Sequence, residues 1–382
     1  MIVAGEASGD KHAAKLVNAL RAEDPEITFF GAAGARMREA GVEPVVRSDR
    51  LSIVGLAEIA RALPMFLDAA KTLKQAAKDR RPDAVILVDF PDFNLKLAKA
   101  LKKQGIPVIY YISPQLWAWR SYRISTVKRY VDLMITILPF EKEWYERRAV
   151  HHVEYVGSPL AREVFARSTK EEFCREFGID AGRPIIALLP GSRHKEIVRI
   201  LPVMIGAAAI VSETVRDAQF LIAAADEGSE ADIERIFRDS DTQAETSDIK
   251  IIRARTYDLL AASDAAAITS GTATLEAGII GTPMAIVYKT SGLNYKLLEP
   301  LIDVPHYGLI NLIAGKRIAA ELIQDRFTPE TLAAELLDLL KPDMNARMRT
   351  ELKAAADELG HGGASKRAAE AILKLLDQVA GQ

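Results

Sequence analysis

The sequence predicts an α/β protein built from two doubly wound domains that face a central cleft. Three observations carry this. Short apolar runs alternate with helix-period segments along the whole chain. The runs are apolar at nearly every position, as in strands covered by helices on both faces. Five polar phrases sit where such runs end: GEASGD at 5–10, DFPDFN at 89–94, SPQLWAWR at 113–120, PGSR at 190–193 and SGTATLEA at 270–277. In an open parallel sheet, ligands bind beyond the carboxyl ends of the strands.

The expected strands of the first half are residues 1–4, 27–30, 84–88, 108–112, 133–137 and 153–156. Those of the second are 185–189, 219–223, 250–252, 265–268 and 284–287. Helices such as 10–21, 93–104 and 197–211 fall between them, which is the alternation of a parallel sheet. The break follows Val156, where Gly157-Ser158-Pro159 reads as a turn and a polar helical stretch (168–178) leads to the next strand. This predicts Rossmann-like domains at 1–160 and 161–363, with a last helix, 364–380, that has no strand after it.

The 382 residues fit two domains. A composition of 49% hydrophobic and 27% charged residues is that of a globular protein. A net charge of −2 gives no field that would gather nucleic acid. The single cysteine, Cys174, excludes an intrachain disulfide, fits a reducing compartment and falls in a helical stretch as a structural residue. No signal peptide and no run of about 20 apolar residues is visible. The adjacent pair His151-His152 has no partner at metal-ligand spacing.

The second domain reads as a nucleotide site. SGTATLEA follows a strand and opens a helix, whose first turn offers free N–H groups and the positive end of the dipole. Gly271 lets the backbone approach a ligand, Ser270, Thr272 and Thr274 are hydroxyl donors, and Glu276 can accept ribose hydroxyls. Capping explains the same Ser and Thr residues without any ligand. Gly191, Ser192 and Arg193 form the neighbouring edge, with Arg193 as a fork of donors for phosphate, unless it is a plain surface arginine. Asn311 can read a base edge or can be an ordinary loop asparagine. There is no G-x-x-x-x-G-K-[ST] and no G-x-G-x-x-G after a strand, which disfavours a P-loop ATPase and a nicotinamide or flavin enzyme.

The first domain reads as an acceptor site. Glu6 and Asp89 each stand where a strand ends, and a carboxylate there can take a proton from an attacking hydroxyl. For Asp89 the alternative is a turn former. Asp10 is expected to cap its own helix, and Asp92 and Asn94 can cap the next one. Trp117, Trp119 and Arg120 suit sugar or acyl contacts, or packing. Between 51 and 78 a helix pattern places Leu56, Ile59, Ala60, Leu63, Leu67 and Ala70 on one face, with Val54, Met65 and Phe66 off it. Arg61, Lys71, Lys74 and Lys78 lie nearby, so the segment fits either an interfacial helix or a buried one kinked at Pro64.

All five phrases, in order and across nearly the whole chain, resemble those of lipid-A-disaccharide synthases. YYISPQLWAWR at 110–120 is the specific match, whereas SGTATLEA is shared in kind by other nucleotide-sugar glycosyltransferases. The resemblance implies the glycosyltransferase type B fold, with the last helix packed back on the first domain. It implies transfer from UDP-2,3-diacylglucosamine to 2,3-diacylglucosamine 1-phosphate, giving a β-1′,6-linked disaccharide 1-phosphate and UDP. It implies no metal or other cofactor, and a peripheral place on the cytoplasmic face of the inner membrane. A homodimer stays open. Essential roles fall on Glu6, Asp89 and Arg193, and nucleotide contacts on Ser270, Gly271, Thr272, Glu276 and Asn311. The residues after PGSR vary in the family, so the role of His194 stays open. The rivals are a UDP-N-acetylglucosamine 2-epimerase, which leaves the apolar helix unexplained, and a binding module without chemistry, which leaves the two strand-end carboxylates unexplained.

Overall fold

The structure is a computed structural model that describes residues 1–50, 59–239, 249–292, 295 and 304–381. The chain divides into two compact units. One is Met1–Pro159 together with His361–Gln382; the other is Leu160–Gly360.

The first unit holds seven described strands: β1 (Ile2–Ala4), β2 (Phe30–Ala33), β3 (Glu43–Arg47), β4 (Val85–Val88), β5 (Val108–Tyr111), β6 (Leu133–Thr136) and β7 (Val153–Tyr155). They pair in the order β3-β2-β1-β4-β5-β6-β7, all parallel. Alternate side chains feed two cores. Val85 and Leu87 of β4 pack with Leu73 and Leu97 on one face. Ile86 and Val88 pack with Leu16 and Ile372 on the other. The helices Ala7–Glu23 and Ala364–Ala380 therefore share a face, and the Arg367 Nε donates to the Val156 carbonyl at 2.8 Å. The last helix is thus part of the first unit.

The second unit holds β8 (Ile185–Leu189), β9 (Gln219–Ala224), β10 (Ile249–Arg253), β11 (Ala265–Thr269), β12 (Met284–Tyr288) and β13 (Glu321–Ile323). Their order is β10-β9-β8-β11-β12-β13, again all parallel. The helix before β8, Lys170–Phe177, shows how sharply the sequence sets its ends. Thr169 and Glu172 exchange capping hydrogen bonds at 3.2 and 2.9 Å, and Gly178 closes it at φ +63°. Cys174 lies buried inside it.

The two-domain α/β class holds, and three details differ from the sequence reading. The edge strands β3 and β13 were not expected: EPVVR is half exposed and polar, and ELI is only three residues long. Strand β2 lies three residues later than 27–30. Its FGAA sequence looks like a turn, but a Cβ on Gly31 would sit 1.9 Å from the Ile2 carbonyl oxygen, so β2 approaches β1 at a glycine. Finally, the helix His194–Thr214 is long and apolar enough to cross a membrane. Here Ile197, Leu201, Met204, Ala208 and Val211 are buried, and the helix packs on Pro329–Leu339 as a core helix of the second unit.

The helix Ile59–Arg80 is buried along one side only, mostly through residues that lie off the apolar face read from the sequence. Ala69, Leu73 and Ala77 are buried, and Met65, Phe66 and Ala70 pack against the same core. Leu63 and Leu67 remain 53% and 62% exposed. Val54 and Leu56 lie outside the described residues, as do the side chains of Ile59, Ala60 and Arg61.

Candidate functional site

Strand order reverses once in each sheet, between β1 and β4 and between β8 and β11. That switch point is where an open parallel sheet leaves a crevice at its carboxyl edge. Ala4 pairs with Val88, so Glu6 and Asp89 leave adjacent strands. Leu189 pairs with Ile268, so PGSR and SGTATLEA also leave adjacent strands. Four phrases spread over 270 residues therefore form two paired sites, one in each unit.

In the second unit a cavity of about 390 Å³ is lined by Gly191, Ser192, Arg193, Ser270, Gly271, Thr272 and Glu276. Gly271 occupies the N-cap position of the helix Thr272–Ile280 at φ +151°, and no side chain caps that end. A Cβ there would meet nothing within 4 Å, so it is the backbone conformation and not lack of space that calls for a glycine. Thr272 is exposed at the first helical position. Arg193, 82% exposed at its side chain, occupies the N-cap position of the helix His194–Thr214 without a side-chain cap, and donates to Glu196 Oε1 at 2.9 Å. Glu276 accepts from the Tyr257 hydroxyl at 2.8 Å, which orients its carboxylate. Burial and that carboxylate push the Tyr257 phenol well up, so it stays a donor. His194 Nδ1 lies 2.7 Å from Asp232 Oδ2, which ties the loop end to the helix Glu227–Asp239.

Several donors are engaged internally. The Ser270 hydroxyl donates to the Tyr307 carbonyl at 2.7 Å, and that of Thr274 to Gly271 O at 2.8 Å. Of the three expected hydroxyl donors, only Thr272 is exposed. Asn311 corrects the sequence reading outright. It is fully buried, its amide donates to Ala319 O and Glu321 Oε1, and its oxygen accepts from the N–H groups of Ile318 and Ala319. Nothing is left to read a base. Through Glu321, which accepts from Tyr307 N and Gly308 N, it shapes the loop that holds Ser270.

In the first unit Glu6 sits at the N-cap of Ala7–Glu23 without capping it, and is exposed. Asp89 is partly buried, and burial together with the Glu6 charge pushes its carboxyl up to about 6. Asp10 does not cap its own helix, which begins three residues earlier. Its carboxylate accepts from Gly34 N, Arg36 N and Met37 N at 2.8, 2.9 and 3.2 Å, and so caps the helix Ala35–Glu39 instead. Asn94 is not a cap either. Its amide donates to the carbonyls of Val88 and Asp89.

The 113–120 loop splits its two indoles. Trp117 is buried, edge-on to Phe140, and donates to Glu141 Oε1 at 3.0 Å. Trp119 is 39% exposed under the Arg120 guanidinium. Asp92 pairs with Arg120 at 2.9 Å and with Arg123. Glu141 is a buried anchor that the sequence did not reveal, because nothing in PFEKEWYE marks which glutamate turns inward. Complete burial pushes it up to about 7, opposed by N–H bonds from Leu138, Ile137 and the Trp117 indole. Glu321 and Tyr257 were missed for the same reason.

A family model described as lipid-A-disaccharide synthetase matches residues 1–375. The lipid-A-disaccharide synthase of Syntrophus aciditrophicus is 45% identical over 98% of this chain and 97% of its own. That of Trichlorobacter lovleyi is 42% identical over 99% and 97%. Among solved structures, the UDP-N-acetylglucosamine 2-epimerase of Neisseria meningitidis bound to UDP-GlcNAc superposes with a TM-score of 0.60 at 14% identity, covering 98% of this chain and 99% of that one. This last likeness extends to the fold alone, the two-domain type B class that glycosyltransferases and these epimerases share. The chain belongs to the lipid-A-disaccharide synthetase family.

Proposed function

We propose that the chain is an inverting glycosyltransferase that joins UDP-2,3-diacylglucosamine to 2,3-diacylglucosamine 1-phosphate. The products are a β-1′,6-linked disaccharide 1-phosphate and UDP. The observation that carries the reading is the opposite chemistry of the two switch points. One presents an uncapped helix start with Arg193, and the other a pair of acids, Glu6 and Asp89. The first suits a leaving diphosphate and the second an attacking alcohol.

UDP sits in the 390 Å³ cavity, its diphosphate against Thr272 N–H and Arg193, its ribose hydroxyls on Glu276. As the anomeric bond breaks, charge builds on the β-phosphate, and the helix start and Arg193 stabilise it. Asp89 takes the proton of the acceptor 6-hydroxyl as that oxygen attacks from the opposite face, and one displacement inverts the anomeric carbon. A base whose carboxyl titrates near 6 is ionised at neutral pH and more basic than an ordinary aspartate. Burial first, and the Glu6 charge second, supply that added basicity.

Incubation with both acylated substrates, followed by mass spectrometry, is expected to show disaccharide 1-phosphate and UDP in equal amounts. UDP release without an acylated acceptor, or interconversion of a soluble UDP-sugar, would refute the reading in favour of an epimerase.

The acyl chains place both substrates at a membrane surface, and we assign contact with that surface to the helix Ile59–Arg80. Leu63 and Leu67 are exposed beside Lys71, Lys74 and Lys78. A nucleotide-sugar donor puts this on the cytoplasmic face of the inner membrane. Leu63→Glu with Leu67→Glu is expected to lower co-sedimentation with anionic vesicles about tenfold or more, with turnover on detergent-dispersed substrate retained. Unchanged vesicle binding would exclude this helix as the contact.

A further inference from the structure

The turn that carries Asp89 is strained, and its strain is held by two side chains. Asp89 and Phe90 lie one after the other in the left-handed region, at φ +48° and +52°. Neither is a glycine, so the backbone here is strained, and such strain persists only where the surroundings over-determine it. The turn cannot relax by shifting Phe90 towards β1. Its ring packs so closely over Gly5 that a Cβ there would lie 2.2 Å from it, and on its other side it meets Phe66 and Phe93.

The Asp89 carbonyl is gripped from two directions. The Tyr110 hydroxyl, from the neighbouring strand β5, donates to it at 2.7 Å, and the Asn94 amide donates to it at 2.8 Å. The same amide also donates to Val88 O at 3.2 Å, so it spans the last residue of β4 and the first of the turn. Both holding residues are fully buried. Asn94 leaves its own oxygen buried without a partner, which costs the desolvation of that atom. Its donors therefore serve the turn at the expense of the side chain's own satisfaction.

We infer that Tyr110 and Asn94 are positioning residues for the proposed base: they lock the left-handed turn that keeps the Asp89 carboxyl at the switch point beside Glu6. The inference rests on the reading of Asp89 as the base. With the clamp released, the turn relaxes towards ordinary backbone angles and the carboxyl moves away from Glu6 and into water. Misplacement of about 1 Å is enough to cost a hundredfold in rate.

Tyr110→Phe removes one hydroxyl and keeps the ring that fills the core. It is expected to lower kcat at least tenfold with KM for both substrates within about twofold. The acid limb of the kcat–pH profile should move to lower pH, because a solvated Asp89 loses the burial that raises it. A purely structural tyrosine would lower the melting temperature and leave that limb in place. Asn94→Ala should act in the same direction and more strongly; if it fails to fold, Tyr110→Phe decides alone. Combined with Asp89→Asn, Tyr110→Phe should add no further loss, since it acts through the carboxyl already removed. Near-normal turnover in Asp89→Asn overturns the base assignment, and the clamp with it. Loss in Asp89→Asn with an unaltered kcat and pH limb in Tyr110→Phe overturns the clamp alone.

Discussion

Asp89→Asn is expected to cut kcat by about 10²–10⁴-fold, the range for loss of a general base, while UDP affinity stays close to that of the unmodified enzyme. Asparagine is the right replacement because it tolerates the left-handed backbone that Asp89 adopts, so the turn survives and only the charge is lost. The unmodified enzyme should lose turnover as pH falls through about 6, where Asp89 gains its proton. The same substitution should raise stability. The folded carboxyl titrates near 6, above its ordinary value of 3.8, so the folded state binds this proton more tightly than the unfolded chain. Stability therefore falls as pH rises from about 4 to about 6, and the cost is fully present at neutral pH. Removing the charge should return about 1–2 kcal/mol at pH 7.5, read as a higher melting temperature. A mutant that is inactive and more stable is the signature of a carboxylate kept for chemistry. Near-normal turnover, or a lower melting temperature at pH 7.5, would contradict this account.

Arg193→Ala is expected to weaken UDP binding about 10–100-fold by calorimetry and to lower kcat by roughly 10²–10³-fold, the scale for loss of one donor to a developing oxyanion. The guanidinium now rests on Glu196, its own helix neighbour three residues on, and an exposed pair of that spacing holds it by a few tenths of a kcal/mol. A diphosphate draws it away at little expense. Stability should hardly change, since the side chain is 82% exposed. Unchanged UDP affinity would remove Arg193 from the diphosphate site and leave the helix start at Thr272 as its main anchor.

The fold class was legible because buried parallel strands are apolar throughout, and β8, IIALL, needs no context to be read. The edge strands were not, since β3 and β13 lack the second covered face that produces that pattern. Candidate site residues were legible by position, as the first polar residue after a strand. What each does with its hydrogen bonds was not. Ser270 and Thr272 look alike in sequence, and only Thr272 is exposed, because Tyr307 arrives from 37 positions away to take the Ser270 hydrogen. Asp10 and Asn311 misled for the same reason: each serves a backbone segment that local spacing does not reveal. Strand order, which joins Glu6 to Asp89 and Arg193 to Thr272, is long-range information that no single phrase contains.

The closing helix, Ala364–Ala380, has a temporal consequence. Its Ala368, Ala369 and Ile372 complete one hydrophobic layer over β1 and β4, yet they are translated after the whole of Leu160–Gly360. At ribosomal speeds of about 5–20 residues per second, the N-terminal sheet waits roughly 10–40 s with that layer unfinished. The later-made unit has its whole sequence contiguous and can mature first. The unit whose synthesis begins first is thus the one completed last, and its β1–β4 face stays uncovered until the end of translation.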